Sequence, residues 1–201
     1  MKFRSLFWIL TLFALAALNS CIHTAKVKQQ FNAGGSLNPT DVVLFTGYNG
    51  QDSRTSRHML TDTKRRLSRC DIEVVYLHDP GLNYEFAKAG FKATDAQVDN
   101  DDFIHQLREV FKVSHIISVG SMEQYRGSSM GVDQTEIYTE GSGVVFEVYS
   151  LDTETIVASM KVTGKTWQLR RGAEIDSESI GSIHVNYNKA LKTLLKSSVC
   201  R

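Results

Sequence analysis

The chain opens with an apolar run, Leu6 to Leu18, interrupted only by Thr11 and preceded by the cations Lys2 and Arg4. Beyond residue 40 the apolar positions become shorter and patterned. Asp41-Val42-Val43-Leu44-Phe45 and Ile72 to Leu77 are brief runs rich in β-branched residues. Such runs suit strands buried on both faces. Between them, Thr55 to Cys70 reads as a helix with Met59, Leu60, Thr63 and Leu67 on its inner side. Asp79-Pro80-Gly81 signals a turn, and Asn83 to Gly90 reads as a short helix. Asp99 or Asn100 can cap a further helix, in which Phe103, Ile104, Leu107, Val110 and Phe111 recur at helical spacing.

In the second half the period changes. His115 to Tyr125, Gly143 to Leu151 and Thr155 to Trp167 read as strands. In the last, Ile156, Ala158, Met160 and Val162 are expected on one side and Ser159, Lys161, Thr163 and Lys165 on the other. That alternation marks an antiparallel sheet with one wet face. Asp152-Thr153-Glu154 joins the last two strands as a hairpin. A closing amphipathic helix, Ser182 to Val199, carries Ile183, Tyr187, Ala190, Leu191, Leu194 and Leu195 inward and Lys189, Lys192 and Lys196 outward. The order predicts a two-layer α/β domain: one mixed sheet of about five strands with helices packed on one face.

Residues 22–40 are polar and small, with Gly34-Gly35-Ser36 and Pro39, and show no apolar period. They read as a flexible tether with a coil dimension of roughly 25 Å. The expected organisation is a signal peptide over 1–20, a tether over 21–40 and a single α/β domain over 41–201.

The initial apolar run is shorter than the about 20 residues a membrane-spanning helix needs, and it matches a signal-peptide core. Leu18-Asn19-Ser20-Cys21 resembles the lipobox of bacterial lipoproteins, with Asn19 the less usual residue. The resemblance implies diacylglycerol on the Cys21 sulfur, cleavage before Cys21 and acylation of the new amino group. It thereby implies a membrane as partner, because several buried acyl chains anchor a protein stably. Ile22 follows the cysteine in place of the aspartate that retains enterobacterial lipoproteins at the inner membrane, which favours the outer membrane. The ordinary alternative is a secretory signal peptide with a chance cysteine.

Formal net charge is +1, and Lys2 and Arg4 leave with the signal. A near-neutral mature chain in that compartment argues against nucleic acid as a partner. Cys70 and Cys200 remain after lipidation of Cys21. An oxidising compartment and two helices on one sheet face favour a disulfide between them; two free thiols are the alternative. No CxxC or Cys/His cluster suggests a metal, and no cofactor is expected.

Val113 to Ser121 (VSHIISVGS) and Val144 to Lys161 (VVFEVYSLDTETIVASMK) resemble the periplasmic group that includes the TolB amino-terminal domain, LpoB and CsgG. The resemblance covers most of 41–199 as pattern, and His78 to Val98 has no counterpart in it. It implies the fold and a periplasmic, protein-binding role, and it transfers no catalytic residue.

Few candidate sites remain. Gly47 to Ser56 joins strand to helix but lacks the spacing of a phosphate loop. Asp95, Asp99, Asp101 and Asp102 lack EF-hand spacing, and helix capping accounts for most of them. His105 and Glu109 lie outward on a helix, and His58, His78, His115 and His184 are scattered, with no convergent partner. No nucleophile motif stands out, so no catalytic residue is assigned. Arg54, His58, Arg65 and Arg69 fall near one helical stripe, with Arg57, Lys64 and Arg66 alongside. That stripe is either a solvated face or a surface for anionic lipid, peptidoglycan carboxylates or an acidic protein. Gln124 to Gly143, flexible in composition and containing Tyr125, Arg126 and Tyr138, is long for a connection. The leading expectation is an outer-membrane-anchored, non-enzymatic binding or assembly module whose partner is another envelope protein. The alternative is a cell-envelope hydrolase or small-ligand-binding lipoprotein.

Overall fold

The computed structural model describes residues 22–32, 37–88, 90, 101–122, 125–130, 136–170 and 180–198. The expected signal peptide, Cys21, Cys200, and Asp95 and Asp99 of the acidic cluster lie outside these residues. The strands are β1 (Ile22–Asn32), β2 (Val42–Tyr48), β3 (Glu73–Tyr76), β4 (His115–Ser121), β5 (Tyr125–Met130), β6 (Glu136–Ser150) and β7 (Thr155–Arg170). The helices are α1 (Arg54–Leu67), α2 (Pro80–Lys88), α3 (Asp101–Glu109) and α4 (Ile180–Ser198).

The strands make one seven-stranded sheet in the order β1-β7-β6-β4-β2-β3, and β5 pairs with β6. β2 is parallel to β3 and β4; the other pairings are antiparallel. β4 and β5 lie one after the other along the same edge of β6, on Val144–Ser150 and Glu136–Gly141.

Helices cover both faces of this sheet, which corrects the two-layer expectation. Val43, Phe45, Val74, Ile117, Phe146 and Met160 join Met59 and Leu67 of α1 and Tyr187 and Leu191 of α4 in one core. Leu44 and Ile116 point the other way and join Leu82 and Phe86 of α2 and Phe103 and Leu107 of α3 in a second core. The second core spans the β3-β2-β4 part of the sheet and reaches the end of β6 at Tyr149 and Leu151. Beyond it, Ser159, Lys161 and Thr163 of β7 are half-buried opposite a fully buried Met160 and Val162. The parallel strands are thus dry on both sides and the antiparallel ones wet on one, as their two sequence patterns require.

Local chemistry accounts for the departures from the expected elements. Asp79-Pro80 starts α2 instead of making a free turn: Asp79 Oδ1 accepts from Gly81 N at 2.9 Å, and proline suits a first helical position. In β7 the pairing jumps from Val148↔Ala158 to Tyr149↔Ile156. This bulge places Val157 in the core and leaves Ile156 42% exposed, the reverse of strict alternation. Val110, expected inside, is exposed just past the end of α3.

Residues 22–32 are not a tether. They form β1, an edge strand antiparallel to β7 from Ile22↔Trp167 to Asn32↔Ala158. Among its described side chains only Ala25 and Val27 pack against the core, too short an apolar signal to stand out in the sequence. Arg126 to Met130 likewise belongs to β5 and not to a flexible loop.

The two-faced sheet makes a prediction. Phe86 has no exposed surface, whereas with helices on one face only it would sit outside the core. Phe86→Ala is expected to cost about 3–5 kcal/mol in urea unfolding, the range for a buried Phe truncated to Ala. A loss under about 1 kcal/mol, typical of exposed positions, would contradict the second core.

Candidate functional site

In open α/β sheets, ligand crevices form at the carboxyl ends of parallel strands. Here β2, β3 and β4 end together, at Tyr48, Tyr76 and Ser121. The β2–α1 connection folds over that end and is held by its own short polar residues. Ser53 caps α1, accepting from Ser56 N at 3.1 Å. The Ser56 hydroxyl donates to Gln51 O at 2.6 Å and accepts from Tyr48 N at 2.9 Å. Asn49 N donates to Val119 O at 2.7 Å, and Asn49 Oδ1 accepts from Ser121 N at 2.7 Å, which stitches the loop to β4. The turn also needs Gly47: its φ is +92°, and a Cβ there would lie 2.7 Å from Gln51 O.

Asp52 is the polar hub of this loop. Arg57 donates to both of its oxygens, from Nε at 3.0 Å and Nη2 at 2.7 Å, and the Tyr76 hydroxyl donates to it at 2.9 Å. Hydrogen bonds from Arg57 and Tyr76 hold the Asp52 carboxyl down at about 2. Burial, reinforced by Asp52, pushes the Tyr76 hydroxyl up to about 12. The His78 ring stands edge-on to Tyr76 at 5.3 Å, with Nε2 3.0 Å from Gly50 O. Asp52, Ser53, Arg54, Arg57, His58 and Thr61 line an open depression of about 520 Å³.

Asp52 is ionised at neutral pH and already engaged by two donors, so it has no proton to give. Arg57 is pinned by the same carboxylate, while Arg54 and His58 are exposed. Among the described residues no group of His, Cys, Asp or Glu is arranged to hold a metal ion.

A second polar cluster joins α1 to α4. Asp62, only 10% exposed in its side chain, meets His184 Nε2 at 2.8 Å, accepts from Asn188 Nδ2 at 2.9 Å and receives Arg65. Arg66 donates to Asn188 Oδ1 at 3.3 Å. Burial raises the Asp62 carboxyl, but Asn188, His184 and Arg65 together outweigh it, and the net shift is downward. Beneath the cluster the buried Tyr187 and Thr63 hydroxyls bond each other, and Thr63 also donates to Met59 O at 2.7 Å. At the opposite end of the strands, His115 is held below its ordinary value by burial, against the pull of Asp41 and Asp152.

The expected basic stripe is present but thinner than the sequence suggests. Arg54, Arg57, His58, Arg65 and Arg69 are all exposed, yet Arg57 is paired with Asp52 and Arg65 with Asp62. Tyr125 and Arg126 lie on β5 and Tyr138 on β6, away from this depression in the strand register; their side chains lie outside the described residues. Asp101 and Asp102 occupy the first turn of α3, where the helix dipole favours them. Cys70 is buried in the 3₁₀ turn after α1 and is disulfide-bonded. Sequence reading missed Asp52, Tyr76, Asp62 and Asn188. For Asp52 a signal existed in Asp52-Ser53 just before the helix; two of the partners of Asp62, His184 and Asn188, come from a helix more than a hundred residues away.

The loop geometry is testable at Gly47. Gly47→Ala combines a strained φ with backbone contact at Gln51, and is expected to destabilise by about 1–3 kcal/mol in chemical unfolding. A neutral effect would show that the turn is not needed.

No family model matches the chain, and no curated protein does. Among solved structures it is similar to the PelC dodecamer from Paraburkholderia phytofirmans, with 16% identity, a TM-score of 0.40, and coverage of 88% of this chain and 99% of that one. It is similar to lipoprotein GNA1162 from Neisseria meningitidis, with 14% identity, a TM-score of 0.40, and coverage of 76% and 99%. It is also similar to the LpoB C-terminal domain from Escherichia coli, with 14% identity, a TM-score of 0.38, and coverage of 63% and 84%. At such values none assigns a family or an activity.

Proposed function

We propose that the protein is a lipoprotein of the outer membrane, held on the periplasmic face by lipid on Cys21, and that it acts there as a non-enzymatic binding or assembly module. The observation that carries the binding role is the open depression along the β2–α1 loop and the first two turns of α1. Its one carboxylate, Asp52, is consumed by Arg57 and Tyr76, which leaves Arg54 and His58 on a pre-formed surface. A rigid surface with exposed cationic and imidazole groups suits an acidic patch on another envelope protein. α4 strengthens this: it contains no acidic residue and shows Lys189, Lys192 and Lys196 to solvent. The anchoring role is supported by the apolar segment ending in Leu18-Asn19-Ser20-Cys21.

The same reading assigns Cys200 as the disulfide partner of Cys70. The 3₁₀ turn carrying Cys70 follows the carboxyl end of α1, and Leu194 of α4 belongs to the same core as Cys70. α1 and α4 run parallel, since His58 meets His184 and Arg66 meets Asn188. Their carboxyl ends are therefore neighbours, and Ser198 stands two residues before Cys200.

The binding role is tested in cells with a photo-crosslinking residue at Arg54 and, as a control on the opposite helical layer, at Tyr84. A discrete envelope-protein adduct from position 54 and none from 84 is expected; equal patterns from both would refute the assigned surface. Thiol counting on the unfolded, unreduced mature protein checks the pairing: no reactive thiol is expected once Cys21 carries lipid, and a free Cys200 would rule the bridge out.

A further inference from the structure

The position of β1 constrains how the domain meets the membrane. Its first residue, Ile22, is the immediate neighbour of Cys21, and successive Cα atoms lie about 3.8 Å apart. No flexible segment separates the lipid-bearing residue from the sheet. Ile22 pairs with Trp167 of β7, Trp167 pairs with Thr139 of β6, and Thr139 pairs with Gly127 of β5. That row lies five residue pairs beyond Val144, the partner of Ser121 at the end of β4. At about 3.3 Å per residue, the four-stranded part of the sheet extends roughly 17 Å past the end of β4 to reach it. β6 and β7 continue three pairs further, through Tyr138↔Gln168, Ile137↔Leu169 and Glu136↔Arg170.

We infer that this end of the sheet, formed by the start of β1, the end of β7, the start of β6 and β5, stands in the phospholipid interface and fixes the orientation of the whole domain. The inference rests on the reading of Cys21 as lipidated. A thioether-linked diacylglycerol puts its glycerol carbons at headgroup depth, so the rows at and beyond Ile22 must lie at that depth as well. Their sequence fits an interface of mixed polarity: Trp167 and Tyr138 are the residue types that settle there, Ile22, Ile137, Leu169 and Met130 are apolar, and Ser128, Ser129, Gln168 and the cross-strand pair Glu136↔Arg170 share the rows. The partner surface is a phospholipid bilayer leaflet, met by an edge-anchored sheet and not by a spanning helix. β2, β3 and β4 are antiparallel to β6 or parallel to strands that are, so all three run toward this same end. The depression at Arg54 and His58 consequently lies on the membrane side of the domain, raised above the lipid by the projecting strands.

Trp167 makes this measurable, because the only other tryptophan, Trp8, lies in the signal segment. The full mature protein is purified from envelopes and reconstituted in phosphatidylethanolamine–phosphatidylglycerol vesicles that contain acyl-brominated phospholipid. Mass spectrometry of its amino-terminal peptide reads the acylation of Cys21 independently. The expected result is loss of most Trp167 emission to the brominated lipid, with shielding from iodide in the water. A Trp167→Phe/Glu73→Trp variant, whose probe sits at the opposite end of the parallel strands, is expected to keep its emission and be quenched by iodide. Acylated protein whose Trp167 is no better quenched by lipid than the Glu73→Trp probe overturns the orientation and leaves the anchoring intact. A Cys21 without acyl mass overturns the anchoring, and this inference with it.

Discussion

The structure depends on burying β2 from both sides. Val43, Leu44 and Phe45 have no exposed surface, yet they alternate between the two faces of the sheet. A strand in that position leaves no polar face for water, so each side requires a layer of helices. α1 and α4 close one side, α2 and α3 the other. Every other element is arranged around this constraint: β3 and β4 pair on its two edges in parallel, and their carboxyl ends create the end of the sheet where a strand-to-helix loop can build a crevice.

The helix pair over the larger core is locked by polar contacts as well as by packing. Tyr187 fills the centre between Phe45 and Phe146, with ring centroids 6.3 and 5.8 Å away. Its hydroxyl has to find a partner there and does so in Thr63. Above it, Asp62 gathers His184, Asn188 and Arg65. A largely buried carboxylate is tolerated only when so partnered, and these partners fix the lateral register of α1 against α4. The β2–α1 loop follows the same rule at the surface, where Asp52 pairs with an Arg57 that stays exposed and so offsets its charge.

The antiparallel half of the sheet answers a different demand. With one wet face it can lengthen without further helices, and β6 and β7 reach 15 and 16 residues. The first residue of β1, Ile22, pairs into this projection opposite Trp167. Under the proposed lipidation of Cys21, the anchor would act on this edge strand and not on a coil.

Periodicity alone settled a good deal: the amphipathic stripes of α1 and α4, the doubly buried character of β2, the polar face of β7 and the exposure of Arg54, Arg57 and Arg65 on α1. These are local facts, since a helix or strand reports its burial through spacing along one segment. What only the tertiary structure decided involves partners distant in the chain or signals spread too thin. The second helical layer was hidden because α2 buries just Leu82 and Phe86, and β1 because, of its described side chains, only Ala25 and Val27 pack inward. Whether Arg57 and Arg65 present free charge depended on Asp52 and Asp62, whose settings were made by Tyr76 in a neighbouring strand and by Asn188 and His184 in the last helix. Charge along a helix is written in the sequence; its neutralisation depends on which side chains folding brings within hydrogen-bonding reach.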